Sequence, residues 1–167
     1  MAENETGAAA QEAENAPQLA LQRIYVKDIS FESPNSPDVF QIKWAPQVKL
    51  DINSGAKKIK DGLFEVVLTL TASVSNEDQP AYLVEVQQAG IFAIQGLEGT
   101  QLEQALAVFC PNLLFPYARE AIDSMLLKGS FPPMHLAPVN FEAIYFEAKK
   151  RQQQEQEGGE AAPDTTH

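Results

Sequence analysis

The sequence predicts an α+β fold: a four-stranded antiparallel sheet packed with two helices, the first of them kinked. Three observations predict it. Apolar residues recur with a period of two from Leu19 to about Ile94, the spacing of strands with one buried face. The last three of these segments are joined by links too short for a parallel crossover, so they pair as an antiparallel meander. From Thr100 onward the period becomes helical, and prolines stand inside the first helical stretch, where each removes a backbone donor.

Taken in order, "LQRIYVKDISFE" (21–32) is the first strand. Near its end Asp28, Ser30 and Glu32 fall on one side, opposite Ile29 and Phe31. The connection "SPNSPDVFQIKWAP" (33–46) holds three prolines, which exclude a regular element across its length. It nevertheless carries Phe40, Ile42 and Trp44, so it packs onto the body or covers a groove. "QVKLDIN" (47–53) sets Val48, Leu50 and Ile52 against Gln47, Lys49 and Asp51. In "LFEVVLTLTASVS" (63–75), Phe64, Val66, Leu68, Leu70, Ala72 and Val74 share one face. After a turn at 76–80, "AYLVEVQQAGIFAI" (81–94) opposes Tyr82, Val84 and Val86 to Leu83, Glu85 and Gln87.

Thr100 and Glu103 have the spacing of a capping box ahead of "LEQALAVFC". Pro111 kinks or interrupts that helix. Pro116 suits the first position of a second piece, "PYAREAIDSMLLK", with Gly129 as its stop. "SFPPMHLAP" (130–138) is a loop, and Asn140 caps a final helix, "FEAIYFEAKKRQQQ".

Charge divides the chain into three. Residues 1–18 and 152–167 each hold four acids and no bases. Both are too polar to bury a core and read as flexible acidic tails, leaving 19–151 as the single folded domain. The net charge of −11 argues against nucleic acid as a partner. One cysteine, Cys110, forms no internal disulfide and suits a reducing cytoplasm. No apolar run approaches the roughly 20 residues of a membrane span, and the N-terminus lacks the features of a signal peptide.

No enzyme signature is present. Cys110 as a nucleophile would need a base, and the histidines are His135, in a proline-flanked loop, and His167. The reading is a buried structural cysteine, with no metal site and no cofactor. "GLEGT" (96–100) lacks the lysine and spacing of a phosphate loop. Arg119 and Glu120 read as members of surface or interface ion pairs. Two features exceed an ordinary domain. Aromatics crowd the irregular parts: Phe40, Trp44, Phe109, Phe115, Tyr117 and Phe131. They outnumber what one sheet face requires, and such a surplus becomes an oligomer contact or a groove. The outward strand faces also carry Asp28, Glu32, Leu83 and Glu85. They form either a solvated face or an acidic docking patch with an apolar centre.

The strings "RIYVKDISFESPNSPDVF", "EVQQAGIFAIQGLEGTQLEQAL" and "CPNLLFPYAREAIDSMLLKGSFPPMHLAPVNF" resemble the SecB family of bacterial protein-export chaperones, over about 19–146. The resemblance implies an ATP-independent holdase that assembles as a homotetramer, a dimer of dimers with helices between two sheets. It implies unfolded precursor proteins as clients, the SecA motor ATPase as receiver, and no stable membrane insertion. SecA would dock on Asp28, Glu32, Leu83 and Glu85, with a further contact from the acidic C-terminal tail. The client groove would run between the crossover, the second strand and the last helix, with Phe40, Trp44, Val48, Leu50, Phe141 and Tyr145 on its walls. The first helix, at 100–128, would make the contact between dimers. "CPNLLFPYARE" then reads as interface packing through Leu113, Leu114 and Phe115. A related holdase serving a toxin–antitoxin pair and an apolar small-molecule module are the rival expectations.

Overall fold

The computed structural model describes residues 16–159. Residues 1–15 and 160–167, most of the expected N-terminal tail and half of the C-terminal one, lie outside the described residues. Four strands, β1 (Gln18–Glu32), β2 (Pro46–Lys60), β3 (Leu63–Asn76) and β4 (Gln79–Gln95), form one antiparallel sheet in the order β1-β4-β3-β2. The last three strands are sequential neighbours, as the short links require. β1 pairs with β4, so the crossover carries the chain from one edge to the other, about 14 Å at ordinary strand spacing. Its prolines permit one short 3-10 turn, Asp38–Gln41, and nothing longer.

β2 runs seven residues past the expected end at Asn53, to Lys60. Gly55 and the lysines at 57, 58 and 60 hid it, because they break the apolar alternation. An edge strand takes its hydrogen bonds from one neighbour whatever its side chains are. β3 pairs with β2 along nearly its whole length, and edge lysines discourage pairing with a further chain.

The helical part differs from expectation at both ends of its first element. The run begins with α1 (Gly99–Gln104), and Glu98 occupies the cap without a side-chain bond. Thr100 is therefore inside the helix, and Glu103 pairs with Lys149 at 2.7 Å instead of closing a capping box. A π turn follows at Ala105–Phe109, where the Cys110 amide donates to the Ala105 carbonyl, and α2 (Cys110–Lys128) continues it. Pro111 explains the irregularity. Its ring would crowd the carbonyl four residues back, and the wider π turn falls on those residues. Pro116 does not start a new piece but lies within α2.

α2 lays Leu114, Ala118, Ile122 and Leu126, all fully buried, along one stripe against the sheet. They meet Val66, Leu68, Leu70, Val84, Val86 and Phe92 in one apolar core. Helix and sheet come so close at Gly90 that a Cβ there would lie 2.8 Å from the Phe92 ring and 3.0 Å from Leu114. Gly129 ends α2 for a similar reason: a Cβ would lie 2.3 Å from the Phe31 ring. The left-handed residue after the helix is Ser130, with φ of 62°.

The last helix, α3 (Phe141–Gly159), is capped by Asn140, whose Oδ1 accepts the Ala143 amide at 3.0 Å. It runs five residues beyond the expected helix end at Gln154, and eight beyond the expected domain boundary at Arg151. Gln and Glu are good helix formers, so low hydrophobicity there does not end the helix, and residues 152–156 are exposed. Among the described residues, no helix is long and apolar enough to cross a membrane.

Candidate functional site

Strand register gathers the four expected docking residues on one face. Glu32 stands opposite Leu83, Ser30 opposite Glu85, and Asp28 opposite Gln87. Asp28, Glu32, Leu83 and Glu85 therefore share the face away from the core on two adjacent strands, with Glu32 directly beside Leu83, Glu85 in the next row and Asp28 in the row after that. Leu83 is 39 % exposed, although it is a large apolar side chain on a polar face. Glu85 is held in place by Thr71, whose hydroxyl donates to Oε2 at 2.8 Å. A bulge between Val26 and Asp28 keeps both Tyr25 and Asp28 on this outward face.

Further along the same face, Glu65 accepts hydrogen bonds from Tyr25 and Lys27, the Lys27 ammonium lying 2.9 Å from both carboxylate oxygens. The Tyr25 bond and then Lys27 hold the Glu65 carboxyl below its usual range. The same bond, with some desolvation, pushes the Tyr25 phenol up to about 12. This triad ties β1 to β3 across β4, and no alternation pattern announces it.

The six expected groove residues fall into separate places. Phe40 and Trp44 join Phe31, Tyr82 and Phe131 in an aromatic cluster, with ring centroids 4.7–6.5 Å apart. The crossover and the 130–138 loop meet there over the end of the sheet. Phe40 keeps 46 % exposure while Trp44 is half-buried. Burial of Tyr82, followed by the charge of Asp123, pushes its phenol up to about 12. Val48 is 53 % exposed and Leu50 is half-buried on the edge strand. Phe141 and Tyr145 are both buried on α3. They border a cleft of about 210 Å3 with Ile52 of β2 and Ala107 of the π turn. A second groove, of about 530 Å3, opens on the other side of Tyr145, against Leu19, Leu97, Val108 and Phe109.

Two polar residues that the sequence did not single out set the walls of these spaces. Asn76, fully buried, accepts the Ala45 amide at 2.8 Å and donates to the Lys43 carbonyl at 3.1 Å. It anchors the crossover to the end of β3. Asp123 accepts the amides of Met134 and His135 at 2.8 and 3.3 Å, which fixes the late loop over α2. A lone Asn at a strand end and a lone Asp on a helix carry no pattern, so only the fold reveals them.

On the first helical run, Leu113 is 37 % exposed, whereas Leu114 and Phe115 are inside the protomer at 0 % and 5 %. The expected interface role of Leu114 and Phe115 is corrected. An unbroken helix points successive residues about 100° apart, so the triplet cannot share one surface. The exposed stripe is Phe109, Leu113 and Tyr117, four residues apart, at 49 %, 37 % and 51 % exposure. Within the protomer Arg119 makes no ion pair among the described residues; it donates to the Leu136 carbonyl at 3.3 Å and lies 5.9 Å from the Phe115 ring centre. Cys110 is fully buried, and desolvation pushes its thiol up to about 12, the opposite of a nucleophile.

An antiparallel sheet backed by helices, apolar grooves at its rim, an uncovered helical stripe and an acidic outer face make this a protein built of binding surfaces. The family model described as "Preprotein translocase subunit SecB" matches residues 12–154. A protein-export protein SecB of Marinobacter nauticus is 59 % identical over 167 residues, covering all of both chains. One from Hahella chejuensis is 60 % identical over 145 residues, 87 % of this chain and 91 % of its own. Among solved structures, a SecB-like chaperone of Mycobacterium tuberculosis, in complex with a peptide from an antitoxin, superposes with a TM-score of 0.62. At 16 % identity, covering 80 % of this chain and 98 % of that one, it shows the fold. The chain belongs to the SecB family and is a chaperone of protein export.

Proposed function

We propose that the protein holds unfolded precursor polypeptides in the cytoplasm as a homotetramer, a dimer of dimers, and passes them to SecA without nucleotide or catalysis of its own. The observation that carries this reading is apolar surface left over after the protomer has folded. Phe109, Leu113 and Tyr117 remain uncovered on α2 and its π turn, and Phe40 and Val48 remain uncovered at the sheet rim. The helical stripe suits association between dimers. The rim, with Trp44, Leu50, Phe141 and Tyr145 beside it, suits nonnative polypeptide.

Burial of such surface is worth roughly 25 cal/mol per Å2, while ordering a client backbone costs about 1–2 kcal/mol per residue. Each segment therefore binds weakly, and several grooves on one assembly supply avidity. A folded protein hides its apolar side chains and is passed over. Asp28, Glu32, Leu83 and Glu85 form the SecA docking patch in this reading. The acidic C-terminal tail, whose first half continues α3 and whose last eight residues lie outside the described residues, is a further SecA contact in the same reading.

The antitoxin peptide belongs to the mycobacterial protein, which matches in fold alone, whereas relatives at 59 % and 60 % identity are export proteins. The test is a refolding assay without ATP. The protein slows refolding of a denatured precursor, and Asp28→Lys or Glu85→Lys weakens SecA binding while client capture survives. SecA affinity unchanged in both variants would show the docking patch to be misplaced.

A further inference from the structure

Beside Leu83, toward the β3–β4 turn, the outward face of the sheet contains a trough of about 480 Å3. Register explains it. Lys49, Ser73 and Leu83 lie side by side on β2, β3 and β4. In the next outward row, Gln47 and Pro80 flank Ser75. Two short serines on the inner strand make a floor, and taller neighbours on both sides make the walls. Pro34, from the start of the crossover, lines the trough as well. Its two sides differ electrically. Lys49 on β2 is turned to Asp51, 3.3 Å away. On the other side stand Leu83 and the carboxylates of Glu32 and Glu85.

We propose that this trough is a side-chain receptor inside the docking face. It takes one bulky aliphatic or aromatic side chain from a basic segment of the docking partner, whose neighbouring lysine or arginine pairs with Glu32 or Glu85. The inference rests on the docking reading above and goes beyond it. Acids alone attract any basic chain, and that attraction is screened by salt. A shaped recess with an apolar wall adds a contact that salt does not screen, and it rejects basic chains lacking the matching side chain. Leu83 then has a reason to be apolar: it is the wall between the recess and the carboxylates.

Filling the recess from its floor is the test. Ser73→Val and Ser75→Leu, each made separately, keep strand-compatible side chains on β3 and remove the space from two different rows. With purified SecA in calorimetry at low and high salt, each variant binds at least fivefold more weakly than wild type, and the residual binding is more salt-sensitive. Capture of a denatured precursor and the thermal midpoint stay at wild-type values. If one variant fails to fold, the other gives the answer from its own row. Glu85→Lys, measured alongside, separates the two ideas. Unchanged SecA binding in Glu85→Lys removes the docking reading and the trough with it. Weakened binding in Glu85→Lys, with wild-type binding in the filled variants, overturns the trough alone. Loss of client capture together with SecA binding in the filled variants also overturns it.

Discussion

The two faces of β3 and β4 carry different cargo on the same backbone. Inward, Val66, Leu68, Leu70, Val84 and Val86 have no solvent exposure, and α2 lies over them. Outward, Thr71, Ser73 and Ser75 are half-buried, Leu83 is exposed, and Glu85 is held by a threonine hydroxyl. One face holds the protomer together through apolar burial, and the other offers an acidic surface around one leucine. If the outward face is the docking surface proposed above, stability and recognition are written on alternate residues of one strand. A substitution at one position therefore disturbs one property and spares its neighbour's.

Four substitutions would break or sharpen that division. Leu68→Ala, on the inward face, costs about 3 kcal/mol of stability in denaturant unfolding, because a fully packed side chain leaves a cavity. Asn76→Ala costs about 2 kcal/mol, since it strands the Ala45 amide and the Lys43 carbonyl. Proteolysis would report it separately, as faster cleavage within 33–45. Glu85→Lys, on the outward face, is expected to weaken SecA binding about tenfold in calorimetry and to leave the unfolding free energy from denaturant titration within about 0.5 kcal/mol of wild type. A large stability loss there would contradict the separation of the faces.

Glu65→Gln gives the smallest effect of the four and a pH-dependent one. The folded Glu65 carboxyl lies below its usual value of 4.5. Its contribution is present above the unfolded-state value and is lost as pH falls through the lowered folded value. Thermal midpoints of wild type and Glu65→Gln therefore differ at pH 7 and converge as the medium is acidified below 4.5. Cys110 should show no reaction with a thiol reagent at pH 8 in the native protein and full reaction after denaturation, because burial keeps it protonated and covered.

The sheet was legible in the sequence because period two is a strong signal where one face is dry. "LFEVVLTLTASVS" shows it without a break. The second half of β2 was not, because an edge strand needs no buried face, and its lysines and glycine read as loop. In the helical part, Asn140 was legible as a cap and Pro111 as a source of irregularity. The form of that irregularity was not, because it depends on whether the helix stops or widens by one residue, and packing of Leu114, Ala118 and Ile122 favours continuing. The acidic positions were legible through alternation and through the family strings. The triad of Tyr25, Lys27 and Glu65 and the anchor at Asn76 were not, since each joins residues 31 to 40 positions apart without local pattern.

Light-scattering mass, taken with and without a denatured precursor, tests most directly whether the leftover apolar surface is spent on partners. The expected result is a particle four times the 18.3 kDa chain mass, which gains the mass of a bound precursor without ATP. A monomer that leaves the denatured precursor to aggregate would contradict it.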